Sequence, residues 1–585
     1  MKKYVADFET ATWLEDETYV WAWALCNIEN VEEIKIGNTI ESFLEEIEKE
    51  NCKIWFHNLA FDGEFILCYL YKLGFKYIND PKEKEDKTFT TLVSDMGLFY
   101  SIEIYFKVEN KRIKKVTIYD SLKIIPISVE DIPKAFGIPE NKLYLDYDRI
   151  REEGYSLQDY ELAYIRNDVI IVALALKQMF DKDLTKMTIG SNALGSFKKT
   201  MNKLKFERLF PSMDYNLFLD LKKSYKGGFT YLNPKYEEVD NGETINLDVN
   251  SLYPSVLRYE PMPYGEPIFY EGKYVEDNIY PLYIQRIVCS FEIKKDMIPT
   301  IQVKGKRFFL ENEYLESSKG EVIALTLTSI DLKLFLDHYE VYDIDYVCGW
   351  KFKSMNGMFN EYIDYWIEEK NKATIEGNRG KRQIAKLLLN SLYGRFAINM
   401  KGREKIPIYY NERILYELGE EEDRKGLYIP VASFITAYAR NKTIRTSQAI
   451  KTYSINKYGK DMYIYSDTDS IKTLLPLEEL KQFCEIDPVK LGAWKYEGTA
   501  TRSRFVRQKT YLEEFINEKT GEKEVQITCC GMPKSCYKYV EWEKFKKGFS
   551  CGGKLVHKHV KGGVKLVETN FTIKSDILKK NMKNF

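Results

Sequence analysis

The stretch YIYSDTDSI, residues 463–471, sets Asp467 and Asp469 two residues apart between apolar strand-forming side chains, and its reading decides the fold. Period-two geometry predicts a strand or hairpin tip with both carboxylates on one side. Two close carboxylates raise each other's pKa unless a cation lies between them, which makes the pair a natural site for a hard divalent metal. An isolated Asp-x-Asp is more often a solvated turn, but here apolar strand residues flank it. A third acid, Asp248, ends the strand-like run INLDV and is followed by NSLYP, whose proline and polar residues turn the chain sharply. Two such strands side by side would converge Asp248, Asp467 and Asp469, an arrangement suited to two-metal phosphoryl transfer.

Between these acids lies KLLLNSLYG, with Lys386, Asn390 and Tyr393 at i, i+4 and i+7 on one helical face. A lysine there can neutralise triphosphate charge, and an aromatic ring can stack on a base pair. Alone the triplet would read as an ordinary amphipathic helix; its place between Asp248 and Asp469 carries the functional reading. Near the N-terminus, Asp7 and Glu9 alternate on a strand and share a face. Asp62 in HNLAFD, and Asp168 in YIRND with Tyr164 one helical turn before it, complete a second constellation of acids and a tyrosine. Between the two groups, Tyr225 and Lys226 offer stacking and charge, while Gly227 and Gly228 permit a tight turn close to a phosphate backbone. Lys509 and Tyr511 of RQKTY alternate on an expected strand.

The chain has 585 residues, 44% of them hydrophobic, enough for several domains with separate cores. With 87 Lys+Arg against 88 Asp+Glu, the net charge of -1 argues against a histone-like polyanion binder and leaves local patches open. MKKYVADFET lacks the apolar stretch of a signal peptide and no run approaches a membrane span, so a cytoplasmic protein is expected. Ten cysteines suit a reducing compartment with free thiols. Cys529, Cys530, Cys536 and Cys551, followed by His557 and His559, have no zinc-knuckle spacing and read as thiols. Strand-like runs at 4–8, 20–25, 53–57 and 116–119 alternate with helical stretches such as 40–49 and close with a helix at 160–179. They predict a mixed α/β domain ending near Met187. Many short aromatic strands are expected between Pro261 and Tyr346, helices between Phe359 and Phe396, and then a charged hairpin. From about Cys530 the chain reads as a basic appendage with no long apolar core.

In that order, DVNSLYP, KLLLNSLYG and YSDTDS resemble the polymerase motifs of family B DNA polymerases. Over nearly its whole length the chain is similar to the protein-primed replicases of small tailed bacteriophages, of the phi twenty-nine type, with YKGGF, KFK, RQKTY and GGVKLV in support. The resemblance implies an α/β (α+β) multidomain fold. A ribonuclease-H-like 3'-5' exonuclease domain (1–187) would precede a right-hand polymerase domain with palm (188–259 and 429–529), fingers (358–397) and thumb (530–585). Two insertions would bind a terminal protein (260–357) and supply processivity and strand displacement (398–428).

The resemblance makes Asp248 and Asp469 the main metal ligands, with Asp467 beside them and the Val249 carbonyl assisting. Tyr253 would lie beneath the incoming sugar and leave no room for a 2'-hydroxyl. Lys370, Lys386, Asn390 and Tyr393 would hold the dNTP, and Lys509 and Tyr511 the primer. The order DxE, NxxxD, YxxxD resembles proofreading exonucleases. Asp7, Glu9, Asp62 and Asp168 would hold metals there, Tyr164 would orient the water and Lys142 would support the step. Tyr144 occupies a position that is acidic in the best-known relative. Asn58, Phe61, Ser121 and Leu122 would hold the frayed primer end, while Tyr225, Lys226, Gly227 and Gly228 would bind DNA and coordinate the two activities. Implied partners are primer-template DNA, the displaced strand, dNTPs and a terminal protein serving as primer, with two Mg2+ ions per site, Mn2+ as a substitute, and an otherwise monomeric enzyme. Implied is a replicative DNA-directed DNA polymerase of a linear phage genome, in the cytoplasm of a bacterial host. Two alternatives are a family B polymerase of a mobile element, priming on nucleic acid or without a primer, and a DNA-binding replication factor with a decayed site. The joint presence of Asp248, Asp467, Asp469 and Lys386 opposes the last.

Overall fold

The computed structural model describes residues 1–109, 112–147, 149–302 and 314–574. Residues 575–585 of the expected thumb and 303–313 of the first expected insertion lie outside the described residues. The N-terminal unit grows from the strand Lys2–Thr10, which pairs antiparallel with Val20–Asn27 and parallel with Cys52–Phe56, itself parallel to Arg112–Asp120. Ile34–Gly37 on one side and Phe99–Glu109, Thr88–Val93 and Lys76–Tyr77 on the other complete an eight-stranded sheet. Val20–Asn27, VWAWALCN, is buried at every position, as a nearly continuous apolar run must be when both sheet faces are covered. Helix Ile40–Glu48 starts at Thr39, whose hydroxyl accepts from the Ser42 amide at 3.2 Å. Its apolar face and that of Leu59–Lys72 share one core with the sheet, while Asp159–Phe180 places Ile165, Val169 and Val172 in another.

A five-stranded sheet lies at the centre of the remaining chain, in the order Trp494–Ala500, Thr244–Val249, Ser470–Thr473, Tyr463–Asp467, Thr230–Leu232. The helix Ile429–Tyr458 backs it, with Pro430 in its first turn and Gly459 at φ 64 just beyond its end. Among the described residues of 260–357, Met262–Glu271, Tyr339–Met355, Leu282–Ile293 and Ile323–Thr328 form a four-stranded sheet dominated by Leu282–Ile293 and Tyr339–Met355. These strands are longer than the many short ones expected, because register shifts within the pair let two long strands twist without parting. Asn360–Ile375 and Arg379–Ser391 form a helical pair, and Lys401–Tyr410 with Arg413–Asp423 a hairpin. The C-terminal region does have a core, contrary to the sequence expectation. Val506, Leu512 and Cys529 pack with Met532, Cys536, Phe545, Phe571 and Ile573, so apolar residues on both sides of Cys530 build it together. A second hairpin, Ser550–Val560 with Gly563–Thr572, projects from it.

Candidate active sites

Strand register brings two of the three central acids together. Asp248 lies opposite Ser470, and the Val249 amide donates to the Asp469 carbonyl at 2.7 Å. Burial and then the Asp469 charge push Asp248 up to about 7, and burial also raises Asp469. Carboxylates that resist ionising beside each other are a donor set that a hard divalent cation satisfies. Asp467 departs from the expected convergence. Its strand is separated from that of Asp248 by Ser470–Thr473. Both its carboxylate oxygens lie 2.7 Å from Lys509 Nζ, and Thr230 Oγ1 donates to it at 3.0 Å. Lys509 also departs from expectation: at φ 54 it forms the turn between Arg502–Arg507 and Thr510–Ile516, so it does not alternate with Tyr511 along one strand. Tyr511 packs its ring against Phe505 at 5.0 Å.

The tip between the acids is held from two sides. The Thr468 amide donates to the Phe229 carbonyl at 2.6 Å, and Thr443 Oγ1 donates to the Thr468 carbonyl at 2.7 Å. Gly228 is needed for this fit, since a β-carbon there would lie 2.5 Å from Thr468 Oγ1; around Gly227 there is nothing within 4 Å. The close approach expected of YKGG is thus to the acidic hairpin. Arg440 braces the loop by donating to the Lys226 and Gly227 carbonyls at 2.9 and 2.7 Å while pairing with Asp331 at 2.7 Å.

Tyr253, in the first turn of Leu252–Tyr259, lies 4.1 Å from the ring of Tyr393. Arg379–Ser391 presents Arg382, Lys386 and Asn390 on one exposed face and ends before Tyr393, which opens the following 3-10 turn and is not part of the helix as expected. Burial, then Arg382 and Lys386, hold Lys370 below the ordinary lysine value. Three cations from two helices therefore crowd one place, an arrangement that an anion relieves. Arg382 was missed by the sequence reading, although it lies one turn before Lys386. A further cation group also went unread: Lys198 is held down by burial and then by Lys425, Lys186 and Arg395, which come from separate elements.

At the N-terminal site, Asp7 and Glu9 project from the first strand, Asp62 from helix 59–72, and Tyr164 and Asp168 from helix 159–180. Burial and then Asp168 push Asp7 up to about 7; burial followed by Asp7 raises both Glu9 and Asp62. Lys142 Nζ is 3.2 Å from Asp168 Oδ2, whereas Asp168 Oδ1 is buried with no hydrogen-bond partner, an oxygen free for a cation. Among the described residues, no three His, Cys, Asp or Glu side chains close into a finished metal cage. The Tyr164 hydroxyl is 2.8 Å from that of Tyr147, a partner no spacing signalled. Tyr144 is 86% exposed. Asn58, at φ 77, donates its amide to Asp120 Oδ1 at 3.0 Å, and Phe61 and Leu122 are half-buried. Ser121 is fully buried and its hydroxyl donates to the Phe56 carbonyl at 3.0 Å, so in this structure it braces the turn beside Leu122.

Paired acids facing a cation-rich helical pair can bind a triphosphate and pass its α-phosphoryl group to a hydroxyl, the reaction of a nucleic-acid polymerase of right-hand form. The chain belongs to the organellar and viral type B DNA polymerases, whose family pattern it matches over residues 44–160 and 149–483. It is 42% identical to the DNA polymerase of Bacillus phage phi29 over 98% of this chain and 99% of that one. The DNA polymerase of Streptococcus phage Cp-1 is 31% identical over 98% of both chains. A solved structure of the phi29 enzyme with primer-template DNA and incoming nucleotides aligns with a TM-score of 0.90 at 41% identity, covering 98% of this chain and 100% of the other. The protein is a DNA-directed DNA polymerase.

Proposed function

We propose that this polymerase replicates a linear phage genome in the cytoplasm of a bacterial host, starting from a terminal protein, displacing the non-template strand and editing with its N-terminal unit. The observation that supports an editing activity beside synthesis is the presence of two separate groups of mutually repelling acids, half-buried Asp248 and Asp469 in the central sheet and, on the N-terminal sheet, half-buried Asp7 with buried Glu9, Asp62 and Asp168. Among the described residues no helix is long and apolar enough to cross a membrane. Asp248 and Asp469, with the Val249 carbonyl, would hold Mg2+ in the palm; Asp7, Glu9, Asp62 and Asp168 would hold it in the editing pocket, and Mn2+ suits the same oxygens. The chemistry two bound ions supply is activation of the attacking oxygen and neutralisation of charge on the leaving group.

The residues of the chain do the rest. Lys370, Arg382 and Lys386 hold the triphosphate, and Tyr393 and Asn390 face the nascent pair. Tyr253 closes the space beneath the sugar, so that a 2'-hydroxyl meets its ring. Lys509 holds Asp467 one strand away from Asp248 and, with Tyr511, lies where a primer end would sit. In the editing pocket Tyr164, steadied by Tyr147, orients water, while Asn58, Phe61 and Leu122 grip the frayed end. Lys186, Lys198, Arg395 and Lys425 form a cationic path for single-stranded DNA. Residues 260–357 are the surface for the terminal protein, and the 401–423 hairpin serves processivity and displacement. To test the priming step, the enzyme is incubated with labelled dNTPs, Mg2+ and the candidate terminal protein encoded beside its gene. A labelled nucleotide bound covalently to that protein is expected; extension from nucleic-acid primers alone would contradict it.

A further inference from the structure

Two hairpins from distant parts of the chain grip the outer face of helix 59–72, the helix that carries Phe61 and Asp62. From the 401–423 hairpin, Tyr409 stacks on Tyr71 at 5.4 Å, and Ile414 enters the same core as Leu59, Phe65 and Ile66. From the 550–572 hairpin, Val564 enters that core and Gly563 lies flat on Phe65, where a β-carbon would meet the ring at 2.6 Å. The tip of this hairpin is tied at both sides. The Thr18 amide donates to the Lys561 carbonyl at 2.9 Å, and the Gly562 amide donates to the Glu412 carbonyl at 3.0 Å.

Within this apolar junction sits one polar group of three. Glu64 is 4% exposed, and its Oε1 accepts from the Tyr416 hydroxyl at 2.7 Å. Its Oε2 faces His559 Nδ1 across 3.6 Å, longer than a hydrogen bond, and each of these two atoms is buried with no hydrogen-bond partner. A buried carboxyl needs partners, and here the hydrogen bond comes from one hairpin and the facing imidazole from the other, so Glu64 is enclosed by polar groups only when both hairpins are seated. His557, on the same strand, lays its ring 5.9 Å from Phe61, the residue read as gripping the frayed primer end.

We propose that Glu64, Tyr416 and His559 form a latch that seats both hairpins on helix 59–72 and thereby sets the share of primer ends that reach the acidic pocket. The three are positioning residues: none touches DNA. The functional half of this proposal rests on the reading of that pocket as an editing site. With the latch engaged, the 550–572 hairpin walls the approach past Phe61; with it released, the hairpin lifts and the frayed end finds no groove.

The full-length enzyme is compared with Glu64→Ala, Glu64→Gln and His559→Leu, on a mismatched primer-template at limiting dNTP and on a free single-stranded oligonucleotide. Glu64→Ala should lower the editing-to-synthesis ratio about fivefold, as expected for the one lost hydrogen bond to a buried group, and His559→Leu should lower it in the same direction. Degradation of the free oligonucleotide should stay within about twofold of wild type, and Glu64→Gln, whose amide oxygen can still accept from Tyr416 and whose amide nitrogen can face His559, should keep the wild-type ratio. Amide hydrogen exchange across 550–572 should quicken in Glu64→Ala and not in Glu64→Gln. Unchanged exchange and an unchanged ratio in Glu64→Ala would overturn the latch, as would failure of Glu64→Gln to keep them at wild-type values. If the wild type degrades no oligonucleotide, the editing reading falls, and the exchange measurement alone decides whether the latch exists.

Discussion

Gly228→Ala perturbs the palm site without touching an acid. The new β-carbon would lie 2.5 Å from Thr468 Oγ1, 2.8 Å from its Cγ2 and 3.0 Å from its Cβ, against an ordinary contact of 3.4 Å or more. Either the loop or the hairpin tip must therefore give by close to an ångström. The tip is fastened by the Thr468 amide to Phe229 at 2.6 Å and by the Thr468 carbonyl to Thr443 at 2.7 Å, and Asp469 is the next residue. Stretching both bonds costs about 2 kcal/mol at roughly 1 kcal/mol each, which is about thirtyfold in rate. A reacting group displaced by about 1 Å raises the ceiling to about a hundredfold. Single-nucleotide incorporation under pre-steady-state conditions should thus fall about thirty- to a hundredfold while the primer-template Kd changes by less than about threefold. Adding Thr468→Ala removes Oγ1 and Cγ2 and should recover most of the loss. A Gly228→Ala enzyme within about threefold of wild type, or a double variant no better than the single one, would refute the reasoning.

Three further outcomes are expected. Burial raises Glu64 from 4.5 to about 8. A carboxyl raised in this way is protonated in the native state and ionised in the unfolded one across that window. Its contribution is present in acid and lost as pH rises toward 8, by up to about 1.4 kcal/mol per pH unit. Thermal unfolding of Glu64→Gln should therefore gain on wild type as pH rises and level off above about 8; a constant difference would contradict this. Arg382→Ala should raise the KM for dNTP about tenfold with kcat nearly unchanged, the loss of one charge-assisted phosphate contact, checked by steady-state incorporation. Lys198→Ala should weaken binding of single-stranded DNA and reduce the slope of log affinity against log salt by about one, measured by fluorescence anisotropy.

What the sequence disclosed is what short-range geometry controls. Asp7 with Glu9, Asp248 before its turn, Asp469 at a hairpin tip, and helices 40–48 and 159–180 all follow from period and capping within a few residues. What it hid depends on contacts between distant segments. Asp467 looks equivalent to Asp469 in YSDTDS, yet sheet order sets it one strand away from Asp248, and Lys509 claims it. Lys509 and Tyr511 look like alternating strand residues until the positive φ of Lys509 makes a turn. Ser121 has the polarity of a ligand and the burial of a brace. Glu64, Tyr416 and His559 carry no mutual spacing signal, because only the folding of three regions onto one helix brings them together.

The most direct test of two independent acidic sites is extension and degradation of a 5'-labelled primer on a single-stranded template with Mg2+, with and without dNTPs, by wild type, Asp469→Ala and Asp7→Ala. Asp469→Ala should abolish extension and leave 3'-5' degradation, and Asp7→Ala should do the reverse. Loss of both activities in either variant, or a wild type that neither extends nor degrades the primer, would contradict the account.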